Sequence, residues 1–177
     1  MREFLTLNEV KRLVETKCDQ PLLKNAFLFC VLTGLRWSDI VHLTWDEIKG
    51  TEGDGWSLHF KQRKTKQFHV LPITPKAKEL LGDQADSERL IFFQLRYSSK
   101  TTIDLCRWAI AAGISKKITF HSARHTHATL LLSYGVDIYT VSSLLGHKHV
   151  TSTERYAHMT DAKKIEAIAR LQEIRSS

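Results

Sequence analysis

The stretch from Leu22 to Leu32 constrains the fold of this chain more than any other, because it is apolar on almost every side of a helix. A surface helix keeps a polar face, whereas a helix without one has to be enclosed by other elements. The 177 residues must therefore build a core around this segment, and that length suits one well-packed domain and is short for two. Gly34 follows at once and can end the helix in a left-handed cap. Arg36 then lies just past a buried helix end, before a new helical start at Ser38-Asp39-Ile40. A rigid element beneath a loop arginine is what a phosphate clamp needs, since the guanidinium grips phosphate oxygens in pairs.

Other elements follow from local pattern. Thr6-Leu7-Asn8-Glu9 has the form of a capping box, ahead of a helical stripe of Val10, Leu13 and Val14. Trp56 to Phe60 alternates with a period of two after the turn-rich Glu52-Gly53-Asp54-Gly55, and Phe68-His69-Val70-Leu71 resumes the strand texture. Between them the polar segment 62–67 predicts a hairpin whose tip carries Lys61, Arg63, Lys64 and Lys66. Thr74-Pro75 opens a short helix. From Ser98 the pattern is helical to the end. One helix runs to about Ala112 before Gly113, one from His121 to Ser133, and one from Ile138 to Leu145 before Gly146. Thr151-Ser152-Thr153-Glu154 repeats the capping-box pattern and places Tyr156 in the first turns of a short helix. Ile165, Ile168, Ala169 and Leu171 mark a last amphipathic helix. The expected class is α+β, mainly α, with a small antiparallel sheet.

A net charge of +7 favours a polyanionic partner, because each neutralised phosphate releases condensed counterions. Cys18, Cys30 and Cys106 are odd in number and lack C-x-x-C spacing, and Cys30 and Cys106 sit in apolar runs. Buried free thiols of a reducing compartment are the expectation. No span approaches the roughly 18 apolar residues of a membrane helix, and Met1-Arg2-Glu3-Phe4 lacks the apolar core of a signal peptide. A cytoplasmic protein follows.

His121 and Arg124 are three apart on a helix, so both emerge on one face and can address one phosphate. Taken alone, H-x-x-R is also what a helix cap and a surface ion pair leave behind. His147 and Tyr156 extend the set with a proton carrier and a hydroxyl able to act as nucleophile. His121, His125 and His127 cluster in a way that could suggest a metal, but no H-E-x-x-H and no paired cysteines complete a ligand set, so none is expected.

Thr33-Gly34-Leu35-Arg36 with Asp39, the basic hairpin, His121-Ser122-Ala123-Arg124-His125, Leu145-Gly146-His147 and Tyr156 occur in this order across residues 5 to 170. The set resembles the catalytic domain of the tyrosine recombinases, the phage integrase family. Ala123 stands where leucine is usual in that family, a change that bears on packing more than on chemistry. The resemblance implies a helical catalytic domain with a three-stranded antiparallel sheet. It implies that Arg36, Lys64, His121, Arg124 and His147 assist Tyr156, with no cofactor. The spacing of Lys64 to Pro72 favours Lys64 among the hairpin lysines, while Lys61 and Lys66 stay open. Asp39 would orient Arg36 or its neighbours, and His125 would pack beneath the site. Lys61, Arg63, Lys66 and Arg155 are candidate DNA contacts, though Arg155 could equally sit in a surface ion pair.

The roles follow from phosphodiester chemistry. In-line attack builds charge on the non-bridging oxygens, which two fixed guanidinium groups stabilise. His121 would help the Tyr156 phenol lose its proton, and His147 would hydrogen-bond the phosphate. Lys64 would protonate the 5′ leaving oxygen. The product is a 3′-phosphotyrosyl link, so rejoining needs no ATP. The resemblance implies double-stranded DNA as partner and a homotetramer on DNA for a full-length protein. It implies a monomer for residues 1–177 alone, accessory DNA-bending proteins, a nucleoid location and a mobile-element role. The chain starts where the family's catalytic domain starts, so an N-terminal DNA-clamping domain is expected to be missing from it. Whether the last helix docks in cis or in trans stays open. A non-catalytic helix-turn-helix module around Gly146 and a type IB topoisomerase are the competing expectations.

Overall fold

The computed structural model describes residues 3–84 and 88–157. The chain divides into two compact units, Met1–His127 and Ala128–Ser177.

In the first unit, α1 (Leu7–Glu15) begins at the expected box. The Thr6 amide donates to Glu9 Oε2 at 2.7 Å, and the Glu9 amide donates to Thr6 Oγ1 at 3.2 Å. The apolar stretch forms α2 (Pro21–Thr33), whose Pro21 fills a first-turn position where no amide is needed. Enclosure is as complete as the sequence demands: Ala26, Phe27, Phe29 and Cys30 are fully buried. Phe27 meets Trp108 and Phe120 edge-on, each at 5.8 Å, and Phe29 meets Phe92 at 5.7 Å. Burying each such ring contributes roughly 1.5–3 kcal/mol, so α2 is the main hydrophobic anchor of the unit. α3 (Trp37–Ile40) follows, one residue earlier than the sequence pattern suggests.

The sheet has the order β1-β2-β3, all antiparallel, with β1 (Ile48–Thr51), β2 (Gly55–Lys61) and β3 (Phe68–Ile73). Leu58 pairs with Leu71 and Trp56 with Ile73, so the inward faces of β2 and β3 coincide. β1 reads Ile-Lys-Gly-Thr, without an apolar alternation, and only the family resemblance anticipates it. A single 3-10 turn at Trp45–Glu47 leads into it, with a Thr44/Glu47 capping box that the sequence reading did not single out. α4 (Pro75–Glu79) is capped by Thr74 and α5 (Ser99–Ala111) by Ser98. α6 (Phe120–Ser133) continues past His127 into the second unit.

In the second unit, α7 (Ile138–Leu144) is capped by Asp137, whose Oδ1 accepts from the Tyr139 and Thr140 amides at 2.9 Å each. α8 (Thr151–Ala157) carries Tyr156. Ala128, Leu132, Val141, Leu145 and Tyr156 form its hydrophobic core. One local expectation fails: α8 starts at Thr151 itself, so Thr151 is its first helical residue and not its cap. The Val150 carbonyl takes the Thr153 and Glu154 amides, at 2.6 and 3.1 Å, which moves the helix start forward. The last amphipathic helix expected around Ile165 to Leu171, and His158, lie outside the described residues.

The architecture is the expected one, mainly helical with a three-stranded antiparallel sheet. Among the described residues, no helix is long and apolar enough to cross a membrane. The cysteines are free thiols, but Cys106 is half-buried, unlike the fully buried Cys30. Cys106 lies on α5 on the same face as Ile103 and Ile110, three residues before it and four after it, and both of these are exposed.

Candidate active site

The loop carrying Arg36 is fixed from three sides. Gly34 adopts φ 68°, and its amide donates to the Cys30 carbonyl at 2.8 Å. The buried Thr33 hydroxyl donates to the Phe29 carbonyl at 2.7 Å and accepts from the Leu35 amide at 3.4 Å. The Cys30 thiol lies 3.1 Å from the Leu35 carbonyl, and its burial pushes its pKa up to about 12. Each residue of the Thr-Gly-Leu-Arg motif thus has a task before Arg36 does any chemistry.

The second arginine reaches the same loop. Arg124 is buried on α6, and its Nη1 donates to the Gly34 carbonyl at 2.5 Å across 90 positions of sequence. That carbonyl, at the end of α2, is one that a helix leaves without an internal partner. The two arginine motifs are therefore tied through backbone. Thr119 and Ser122 cap the start of α6 reciprocally, with the Thr119 amide on Ser122 Oγ at 2.7 Å and the Ser122 amide on Thr119 Oγ1 at 3.1 Å. His121 consequently sits exposed in the first turn, where the helix dipole favours an anion. Its ring packs edge-on against the buried His125, 4.3 Å away. His127, two residues on, has its Nδ1 2.9 Å from the Val31 carbonyl, and burial lowers its pKa to about 4.

Asp39 joins the hairpin to Arg36. It is buried, its Oδ1 accepts from the Arg63 amide at 2.8 Å, and its Oδ2 lies 4.0 Å from Arg36 Nη1. The turn between β2 and β3 is locked from within. The Gln62 amide donates to the Gln67 carbonyl and the Lys66 amide to the Gln62 carbonyl, each at 2.9 Å. The Thr65 hydroxyl donates to Oε1 of the buried Gln62 at 2.6 Å, and Lys66 takes a left-handed φ of 59°. Lys61, Arg63, Lys64 and Lys66 all stand exposed around this turn, with Lys64 at its apex.

In the second unit, His147 follows the left-handed Gly146 and its Nδ1 lies 2.7 Å from the hydroxyl of the buried Thr153. That bond orients the ring. Tyr156 is buried, with its ring in the unit's core. Arg155 belongs to α8, but its side chain lies outside the described residues. Arg36, Asp39, His121, Arg124, His125 and the hairpin basics belong to the first unit, His147 and Tyr156 to the second.

Sequence reasoning missed Gln62, Thr65 and Thr153. Gln62 and Thr65 belong to the polar segment of the hairpin tip, and nothing local marks a buried amide. In the sequence Thr153 stands out only as part of a capping pattern. Among the described residues, no group of three or more His, Cys, Asp or Glu side chains is placed to hold a metal ion.

Known proteins share this arrangement of elements. A tyrosine recombinase of Pseudothermotoga lettingae is 30% identical over 179 residues, covering 96% of this chain and 60% of that protein. A XerH site-specific recombinase, solved as a post-cleavage complex with palindromic difH substrate, superposes with a TM-score of 0.74 at 17% identity, over 96% of this chain and 53% of that one. The catalytic domain of bacteriophage HP1 integrase gives a TM-score of 0.70 at 23% identity, over 96% of this chain and 95% of that domain. The chain spans less than two thirds of the length of the recombinase it resembles. Residues 3–163 match the pattern of the Phage integrase family, and the chain belongs to that family.

Proposed function

We propose that residues 1–177 act as the catalytic domain of a site-specific recombinase that cuts and rejoins DNA through Tyr156. The observation that carries this reading is the bond from Arg124 to the Gly34 carbonyl, because it fixes two guanidinium-bearing motifs on one backbone support. Arg36 and Arg124 hold the non-bridging oxygens of the scissile phosphate and stabilise the charge that grows there. His147 adds a hydrogen bond from Nε2, since its Nδ1 is engaged by Thr153. His121 takes the phenolic proton as Tyr156 Oη attacks phosphorus. The bond from phosphorus to the 5′ oxygen breaks, and Lys64 protonates that oxygen. A 3′-phosphotyrosyl link and a free 5′ hydroxyl result, and attack by another 5′ hydroxyl reverses the step. Asp39 holds the lysine turn, and His125 supports His121. Lys61, Arg63, Lys66 and Arg155 contact the DNA backbone.

Exchange between two duplexes cuts four strands, so a whole protein built around this domain acts as a homotetramer on double-stranded DNA. The isolated domain is monomeric. The work belongs in the cytoplasm, at the nucleoid. Integration or excision of a mobile element, with accessory DNA-bending proteins, is the role that fits the family.

A suicide duplex tests this, nicked beside the cleavage point so that the released fragment diffuses away. Wild type should leave a denaturation-resistant protein–DNA adduct and Tyr156→Phe none. The Phe variant keeps the ring that packs with Val141 and Leu145, so loss of the adduct would not reflect unfolding. Tight binding without an adduct would favour a DNA-binding module that lacks catalysis.

A further inference from the structure

We propose that Tyr97 is a DNA-backbone contact, its phenolic hydroxyl donating to a phosphate next to the one held by Arg36; this rests on the recombinase function proposed above. Tyr97 lies between the buried Leu95 and Ser98, the cap of α5, and is 73% exposed. A lone exposed aromatic needs no explanation. The surroundings of this one set it apart. Its ring meets the Trp37 indole at 5.6 Å, and Trp37 meets Phe120 at 4.5 Å. Trp37 directly follows Arg36 and Phe120 directly precedes His121. A chain of three rings therefore runs from an open surface to the residues beside Arg36, a proposed phosphate ligand, and His121, the proposed proton acceptor, all within the first unit.

The construction suits a contact more than a core. Phe120 is buried and Trp37 half-buried, so the inner end is fixed while the outer ring stays open. A buttressed tyrosine has only two side-chain torsions to immobilise and offers both an apolar face and a donor. Tyrosine hydroxyls are among the groups that bind DNA phosphates and set register without reading bases. The exposed Arg96 and Lys100 on either side add positive charge, which favours a polyanion over an apolar protein partner.

The test uses the 177-residue chain and a fluorescein-labelled duplex selected from a random library by the wild-type protein. Fluorescence anisotropy gives Kd, and the denaturation-resistant adduct on a nicked form of the duplex reports cleavage. Tyr97→Phe should raise Kd about tenfold, the loss of one hydrogen bond to a charged acceptor, with an unchanged melting temperature. The duplex is then remade with one neutral methylphosphonate at each position in turn. At one position beside the cleavage point, wild type and Tyr97→Phe should bind equally, because the acceptor charge is gone. A Kd for Tyr97→Phe within twofold of wild type on unmodified DNA would overturn the proposal. So would a deficit that persists at every methylphosphonate position. An adduct formed by wild type with unaffected Tyr97 variants would refute this contact alone. Binding without any adduct would refute the recombinase reading while the methylphosphonate scan still decides on Tyr97. Failure of the wild type to bind any duplex would overturn both.

Discussion

Asp39 accepts the backbone amide of Arg63 on one carboxylate oxygen at 2.8 Å while its other oxygen lies 4.0 Å from the Arg36 guanidinium. One buried side chain thus touches both Arg36 and the backbone of the turn that presents Lys64. Asp39→Asn can still accept from the Arg63 amide but loses the charge that steadies Arg36. Asp39→Ala loses both and leaves the Arg63 amide without that acceptor. The adduct-forming rate should fall about tenfold for Asn and further for Ala, as expected for hydrogen bonds to charged groups. Single-turnover assays at saturating DNA measure this. Equal rates for Ala and wild type would remove Asp39 from the positioning of the site.

Lys64 at the apex of the locked turn makes a prediction about the leaving group. A general acid contributes about 10²–10⁴ in rate, so Lys64→Ala should lose that much on an ordinary phosphodiester. A substrate with sulfur at the bridging 5′ position expels a thiolate that needs no proton. On it Lys64→Ala should come within about tenfold of wild type. Lys61→Ala and Lys66→Ala should respond alike to both substrates. If the sulfur substrate rescues Lys66→Ala instead, the general acid is Lys66.

The residues proposed for the chemistry stand out in the sequence by type and order, because phosphodiester chemistry allows few substitutes for an arginine fork, a histidine or a tyrosine. The enclosed helix and its glycine stop were legible as well, since one lacks a polar face and the other takes φ 68°. What escaped depends on distant backbone. Nothing near Gln62 announces that its amide is buried against Thr65, and nothing near Thr153 announces a histidine at its hydroxyl. β1 escaped local pattern because Ile-Lys-Gly-Thr owes its strand to pairing with β2, from Ile48 opposite Leu58 to Thr51 opposite Gly55. The start of α8 shifted for a related reason: a Thr-x-x-Glu pattern marks a cap only when the preceding carbonyl does not begin the helix first.

Gly50 should be intolerant of a side chain. It sits at φ +112°, and a Cβ there would lie 2.0 Å from the Gly55 carbonyl oxygen across the β1–β2 ladder. Gly50→Ala should cost about 2 kcal/mol or more, lowering the melting temperature by about 5 °C or more for a chain of this size. Gly55 also has a positive φ, of +83°, but its Cβ would meet nothing within 4 Å. Gly55→Ala should therefore lose only about 1 kcal/mol, the conformational part alone. Equal losses would place the cost in φ and not in the collision.

His127 should make the fold acid-sensitive. Its Nδ1 donates to the Val31 carbonyl, which makes Nε2 the bare nitrogen of the neutral ring, and Nε2 is shut from solvent with no hydrogen-bond partner among the described residues. Burial is the main cause of a pKa lowered from 6.5 to about 4, and the Arg124 charge adds to it, while the bond to Val31 opposes both. The unfolded chain therefore binds a proton near pH 6.5 that the folded chain refuses until about pH 4. Stability from this group is complete above the unfolded pKa and is lost as pH falls through the window toward the folded one, by about 2 kcal/mol at pH 5. His127→Asn keeps a donor for the Val31 carbonyl and cannot titrate. In urea unfolding at pH 7.5 and pH 5, the wild type should lose about 2 kcal/mol more than the variant between the two conditions. Parallel losses in the two proteins would show that the folded state accepts the proton on His127 after all.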